Sequence, residues 1–316
     1  MKIAVLDDYA GAALRLADWG GLDVTVFADT QAGPALAARL QPYDVVCLMR
    51  ERTAFGAEVI GALPRLKLIV TTGPRNAAID MAAAQARGIT VCGTESRKTT
   101  TSELALLMIL ALNRRLLPEV ATLRAGGWQA GLGRDLAGLT LGLIGLGNIG
   151  AQMAALGRAL GMEVCAWSQN LTAARCAELG VSQCESLPAL MAASDVSSVH
   201  LVLSERTRGL VGAEAFAAAR PGHVFVNTSR GPIVQTGALL DWLAGDGAAM
   251  AGLDVFDAEP LPQDDPLRAA AAELDGRLLL TPHLGYTTEA TFRLFYTQTV
   301  EAVRAWAAGA PVRVIG

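Results

Sequence analysis

The chain has 316 residues, 52% of them hydrophobic, and a formal net charge of −4. That length suits two domains of ordinary size, and that apolar content fills large cores and excludes a disordered chain. The basic residues are scattered, with lysine only at Lys2, Lys67 and Lys98, so no cluster reads as a nucleic-acid patch.

The N-terminus, "MKIAVLDDYA", goes directly into a strand and lacks the longer apolar core of a signal peptide. Short apolar runs then alternate with Ala/Leu-rich stretches. "KIAVL", "LDVTVFA", "YDVVCLM", "LKLIVT" and "ITVC" read as strands, with helical segments such as "AALRLADW" and "GPALAARL" between them. This alternation is the mark of βαβ units and a parallel sheet. "TTTSELALLMILALNRRLL" follows, where Thr100 and Glu103 have the spacing of a capping box and predict a helix start. Its apolar run, Leu104 to Leu112, is far shorter than the roughly 18–20 residues that span a bilayer, so it reads as a buried helix.

A second series of strands comes next: "LTLGLIG", "MEVCAW", "SSVHLVL", "HVFVNTS", "AAMAGLDVF" and "RLLLTPH". Near-continuous Val/Ile/Leu content suits strands covered on both faces. A last helix is predicted from about Thr287 to Ala308. The fold class is therefore α/β, with two doubly wound parallel-sheet domains. One domain comprises residues 1–99 and 287–316; the other comprises residues 100–286. The five cysteines form no CxxC pair and sit mostly in apolar runs, which reads as buried thiols in a reducing, cytoplasmic setting.

"LTLGLIGLGNIG" places Gly145-x-Gly147-x-x-Gly150 between a strand and a helix. In that context the three glycines serve a tight turn, close approach to a pyrophosphate, and helix–strand packing, while the helix N-terminus faces the phosphates. The domain is thus of the Rossmann type, and the implied cofactor is NAD or NADP. The acidic residue expected on the ribose about 20 residues on is absent: Ser168 stands there, followed by Gln169 and Asn170. No arginine adjoins Ser168 in sequence, and Arg175 lies in the next helix, so the choice between the two cofactors stays open.

The glycine loop, "NTSRG", "GLDVFDAEP" and "TPHLGYTT", in that order, resemble the D-isomer-specific 2-hydroxyacid dehydrogenase family. The resemblance runs from "LIVTTGPRNAAID" to the last helix. It implies a flavodoxin-like substrate domain beside the dinucleotide domain, a cleft between them, a homodimer through the helix from about Thr100, and transfer of a hydride between a nicotinamide cofactor and a 2-keto or D-2-hydroxy acid. It implies Arg230 as the arginine that grips the substrate carboxylate, His283 as the acid/base and Glu259 as its partner. Asp254 resembles the aspartate near the nicotinamide amide. Asn148, Ile149, Ser168, Leu203, Thr207, Thr228 and Ser229 lie where the family contacts its cofactor. No metal is implied.

The chemistry agrees: a guanidinium fork suits a carboxylate, an imidazole titrates near neutrality, and a neighbouring carboxylate favours its charged form. His200 reads as structural and His223 as exposed. In the first domain the family's Gly-x-Gly loop becomes "TGPRNAAID". Gly73 is kept, Pro74 offers no N–H, and Arg75 replaces the second glycine. Gly73, Arg75 and Asn76 are the expected substrate contacts, with Arg75 meeting an acidic group of the substrate or forming a salt bridge. Arg50 and Arg52 either touch substrate or pair with Glu51 or Asp80. Tyr286 stands where the family commonly has a small residue. A nucleotide-sensing binding protein of the same fold, with little turnover, is the rival reading.

Overall fold

The computed structural model describes residues 1–316 and divides into two compact units: Met1–Arg97 with Thr287–Gly316, and Lys98–Tyr286. Each is a parallel sheet with helices between its strands.

In the first unit the strands β1 (Lys2–Val5), β2 (Asp23–Val26), β3 (Val45–Leu48), β4 (Leu68–Thr71) and β5 (Thr90–Gly93) pair in the order β2-β1-β3-β4-β5. This is the flavodoxin-like order, all parallel. The core strands β3 and β4 are buried throughout, and the helices α1 (Ala13–Leu16), α2 (Gly33–Leu40), α3 (Ala57–Gly61) and α4 (Met81–Ala86) connect the strands. A core of Ile3, Leu36, Leu40, Leu48, Phe55, Ile60 and Leu63 explains why apolar runs, rather than alternating ones, mark these strands.

In the second unit α5 (Thr100–Asn113) and α6 (Leu116–Arg124) precede β6 (Thr140–Ile144), α7 (Asn148–Ala159), β7 (Glu163–Trp167), α8 (Ala173–Leu179) and β8 (Ser182–Gln183). After these come α9 (Leu187–Ala193), β9 (Val196–Val199), α10 (Ala213–Ala217), β10 (Val224–Asn227), α11 (Thr236–Gly245), β11 (Met250–Leu253), α12 (Pro266–Glu273) and β12 (Leu278–Leu280). The sheet order is β12-β11-β10-β9-β6-β7-β8, the doubly wound Rossmann arrangement with one further strand at the β12 edge. The order reverses at β6/β9, where β6 carries the glycine turn, and open α/β sheets bind ligands at such a switch point.

The last helix, α13 (Glu289–Ala307), returns to the first unit and packs on β4 and α1. Thr288 caps it, accepting from the Thr291 N–H. The amphipathic spacing buries Phe292, Phe295, Tyr296, Val300 and Val303. Tyr296 donates its phenolic O–H to Asp8 at 3.1 Å.

Two local expectations fail, and one strand goes unforeseen. The predicted capping box does not form: Thr100 is already helical, Thr99 is the cap, and no side chain caps the end. The hydroxyl of Ser102 instead donates to the Thr99 carbonyl, so the first turn is tied by a different residue. His223 is buried, not exposed. Its Nδ1 lies 3.0 Å from the Ser194 carbonyl and its Nε2 lies 2.7 Å from the Ser197 hydroxyl. In "RPGH" only Pro221 and Gly222 form the turn, and the His223 ring points inward against Trp242. Finally, β8 is a two-residue exposed strand that no apolar run announces.

Candidate active site

The glycine turn follows β6 directly. Gly145 has φ 106°, and a Cβ there would lie 2.7 Å from the His200 carbonyl oxygen. A Cβ on Gly150 would lie 2.1 Å from the Gly145 oxygen, so α7 reaches its position only with hydrogen there. Beside Gly147 the space is open, and no side chain caps the N-terminus of α7. Asn148 is exposed and Ile149 half-buried in its first turn. These features fit a dinucleotide pyrophosphate: free N–H groups, a positive helix end and room for the phosphates.

Two shielded polar atoms point the same way. β9 and β10 are paired up to Val199 and Asn227, and the next residues on the two strands are His200 and Thr228. The His200 Nε2 and the buried Thr228 hydroxyl have no hydrogen-bond partner. Buried polar atoms are seldom left unpaired, and here both lie at the ligand-binding edge of the sheet. Around them, Thr207 is buried. Its hydroxyl accepts from the Ser204 N–H at 2.7 Å and donates to the Val202 carbonyl at 2.8 Å, which shapes the loop that carries Leu203. Ser168 is half-buried at the tip of β7.

Arg230, Glu259 and His283 come from the ends of three adjacent strands, β10, β11 and β12. Asn227 ties the first loop. Its amide donates to the Arg230 carbonyl at 2.9 Å, and its oxygen accepts from the Ser229 N–H at 3.0 Å. Ser229 donates its hydroxyl to the Leu201 carbonyl, and the Arg230 guanidinium donates to the Ser229 carbonyl at 2.7 Å. Gly231 brings this loop onto the next: a Cβ there would lie 2.1 Å from the Phe256 carbonyl carbon.

Glu259 Oε1 accepts from the Phe256 N–H at 2.9 Å, and its Oε2 lies 2.5 Å from the Nδ1 of His283. Burial raises the Glu259 carboxyl, but the bond to His283, the imidazole charge, the Phe256 N–H and the Arg230 charge together hold it below the ordinary carboxylate value. Glu259 is therefore the ionised partner of the pair. With Nδ1 facing a carboxylate, Nδ1 carries a proton, and the other ring nitrogen, Nε2, is the atom that can give or take one.

His283 sits in the left-handed region, φ 53°, an uncommon conformation for a residue with a side chain. The buried Asp254 organises that turn. Its Oδ1 accepts from the Thr281 hydroxyl and the Leu284 N–H, and its Oδ2 accepts from the Gly285 N–H. Burial pushes the Asp254 carboxyl up from its ordinary value, against the opposing pull of these donors and of His283. Tyr286 packs edge-on against the imidazole, ring centroids 5.4 Å apart. The roles of Phe256, Thr281 and Asn227 escape sequence reasoning. Phe256 acts through its backbone N–H, while Thr281 and Asn227 act through side chains whose partners only the folded loops reveal.

In the first unit, the loop after β4 is stapled by the buried Asn76. Its amide donates to the Arg50 carbonyl and the Thr71 hydroxyl, and its oxygen accepts from the Ala78 N–H. The Gly73 N–H is taken up by the Thr94 hydroxyl. Arg75 is exposed and makes no ion pair, so its salt-bridge alternative fails. Arg50 lies 3.7 Å from Glu51, and its guanidinium covers Gly73, whose added Cβ would meet Nη1 at 1.8 Å. Arg52 donates to the Asp7 carbonyl and lies over the Tyr9 ring.

Comparison with known proteins agrees with this geometry. Residues 106–285 match the family model described as D-isomer specific 2-hydroxyacid dehydrogenase, NAD binding domain. The chain is 37% identical over 265 residues to the D-3-phosphoglycerate dehydrogenase of Mycobacterium tuberculosis H37Rv, covering 83% of this chain but 49% of that protein. It thus spans about half the length of the phosphoglycerate dehydrogenase it matches there. It is 34% identical to the hydroxypyruvate reductase of Thermotoga maritima over 261 residues, 82% of this chain and 83% of that one. The solved phosphoglycerate oxidoreductase of Vibrio cholerae O395 superimposes with a TM-score of 0.91 at 36% identity, covering 98% of this chain and 100% of that one. A glycine turn at the sheet's switch point, three strand-end loops that assemble an arginine, a glutamate and a histidine, and these likenesses place the chain in the D-isomer specific 2-hydroxyacid dehydrogenase family.

Proposed function

We propose that this chain is an NAD(P)-dependent D-2-hydroxyacid dehydrogenase that interconverts a 2-keto acid and its D-2-hydroxy acid. The observation that carries the reading is the 2.5 Å contact between Glu259 Oε2 and His283 Nδ1, with the charge of Arg230 acting on the same carboxylate. Arg230 binds the substrate carboxylate through its fork and draws electron density from the adjacent carbonyl. His283 Nε2 hands a proton to the carbonyl oxygen as negative charge develops there, and Glu259 stabilises the imidazolium before that step. The nicotinamide, when bound, supplies the hydride to the carbonyl carbon or takes it back in the reverse direction. Gly145, Gly147, Asn148, Ile149, Gly150, Ser168, Leu203, Thr207, Thr228, Ser229 and Asp254 are the proposed cofactor-side residues. Gly73, Arg75 and Asn76 belong to the loop proposed for the substrate. Because Ser168 is neutral, it does not repel a 2′-phosphate as a carboxylate would.

No helix is long and apolar enough to cross a membrane. Five free cysteines, four of them buried, fit a reducing compartment, and we place the protein in the cytoplasm. The apolar face of α5, α6 and the following arm exposes Leu107, Leu116, Leu117, Leu123, Trp128 and Leu132, which supports a homodimer through that surface.

The test is loss of nicotinamide absorbance with NADH and NADPH over a panel of 2-keto acids. Turnover that falls by roughly 10²–10⁴-fold in His283→Ala supports the enzyme. Tight nucleotide binding with no turnover on any acid overturns it in favour of a nucleotide sensor.

A further inference from the structure

The tip of β7 is tied to a loop that carries an arginine distant in sequence; a role for that arginine rests on the reading of the Gly145–Gly150 turn as a dinucleotide site. The tip of β7 offers Ser168, Gln169 and Asn170, with no carboxylate to hold ribose hydroxyls. The arginine nearest in sequence, Arg175, is already engaged, 2.7 Å from Glu178. The fold brings in another. Gln169 donates its side-chain amide to the carbonyl of Arg206 at 3.1 Å, which latches the tip of β7 to the loop after β9.

That loop is held from within. The Thr207 hydroxyl ties Val202 and Ser204, and the N–H groups of Thr207 and Arg208 both donate to the Ser204 carbonyl. The backbone of Arg206 is thus fixed on both sides. Its side chain is exposed and makes no ion pair. Its neighbour Glu205 is exposed and unpaired as well.

We propose that Arg206 is the residue that selects the cofactor, reading the 2′-phosphate of NADP(H) beside Ser168 at the tip of β7. A guanidinium suits this group because its planar fork matches phosphate oxygens, which gives charge-assisted hydrogen bonds that the bare 2′-hydroxyl of NAD(H) does not make. Ser168 removes the carboxylate that would repel the phosphate and accept from the hydroxyl. The two positions act together, one by an added charge and one by a missing charge.

The test is fluorescence titration of the full chain with NADPH and with NADH, which reads binding without turnover. Wild type binds NADPH roughly 10–100-fold more tightly than NADH. Arg206→Gln weakens NADPH by roughly 10-fold and leaves NADH within about two-fold. Ser168→Asp reverses the order. Equal or tighter NADH binding by wild type, or equal weakening of both nucleotides in Arg206→Gln, overturns the assignment of Arg206 while leaving the dinucleotide site standing. Binding of neither nucleotide removes the site itself, and the inference with it.

Discussion

Asp254 holds the turn on which His283 sits, through the N–H of Leu284 at 2.7 Å and that of Gly285 at 2.9 Å. A residue whose motif suggests a cofactor contact is therefore, in this fold, also what keeps an imidazole in a left-handed conformation. Asp254→Asn sets an amide N–H against one of those backbone N–H groups. We expect kcat to fall by roughly 100-fold through misplacement of His283, with nucleotide affinity changed much less. Steady-state kinetics beside a fluorescence titration reads the split; loss of nucleotide binding alone, with kcat intact, contradicts it.

Glu259→Gln keeps the shape of the side chain and removes its charge. The imidazolium then loses the neighbouring negative group that stabilises it. The rate at neutral pH falls, by roughly 10²-fold or more. A turnover rate at neutral pH equal to that of wild type rules out the pairing.

His223 makes the second unit acid-sensitive. The Ser194 carbonyl only accepts, so Nδ1 carries the proton and the Ser197 hydroxyl donates to Nε2. Burial pushes the ring from 6.5 down to about 4. Between those values the unfolded chain binds the extra proton and the folded chain does not. Stability is therefore full above about pH 6.5 and declines as pH falls towards 4, by roughly 3 kcal/mol for this group. Urea midpoints followed by tryptophan fluorescence at pH 7.5 and pH 5 measure the loss, and His223→Gln reduces it without abolishing it, because burial also pushes His200 of the same unit down to about 4.

Gly150→Ala drives a methyl group to 2.1 Å from the Gly145 oxygen. Relief requires α7 to move off the turn. The melting temperature drops, by an amount equivalent to about 1–3 kcal/mol, and NADH and NADPH binding weaken together. Unchanged binding of both shows that the turn is not the pyrophosphate cradle.

The exposed leucines of α5, α6 and the arm after them predict an assembly that charge disrupts. Wild type is expected to run as a dimer in light scattering, and a Leu123→Glu, Leu132→Glu double variant as a monomer. A wild-type monomer at micromolar concentration removes the dimer.

Much of the fold is legible because buried parallel strands announce themselves as short apolar runs: "YDVVCLM" holds β3 and "HVFVNTS" holds β10. β8 is not legible, since Ser182 and Gln183 are exposed and two residues make no pattern. The capping box fails because Thr99 already offers the helix a start one residue earlier. Motif residues such as Arg230, Glu259 and His283 are visible as types at spacings. Their supports are not: Asn227 holds Arg230 from three residues back, and Phe256 contributes only a backbone N–H. Arg206 is the sharpest case. It lies 37 positions from Gln169, and only the pairing of β6 with both β7 and β9 brings their loops together.

The return of α13 to the first sheet has a consequence for biogenesis. While a ribosome adds the second unit, the strands β1 to β5 lack the helix that supplies Tyr296 to Asp8 and covers β4. At ordinary elongation speeds that wait is on the order of ten seconds or longer. The second unit, continuous in sequence, has everything it needs earlier. The nascent N-terminal sheet, with an uncovered apolar face, is the stage of synthesis at which a chaperone has something to hold.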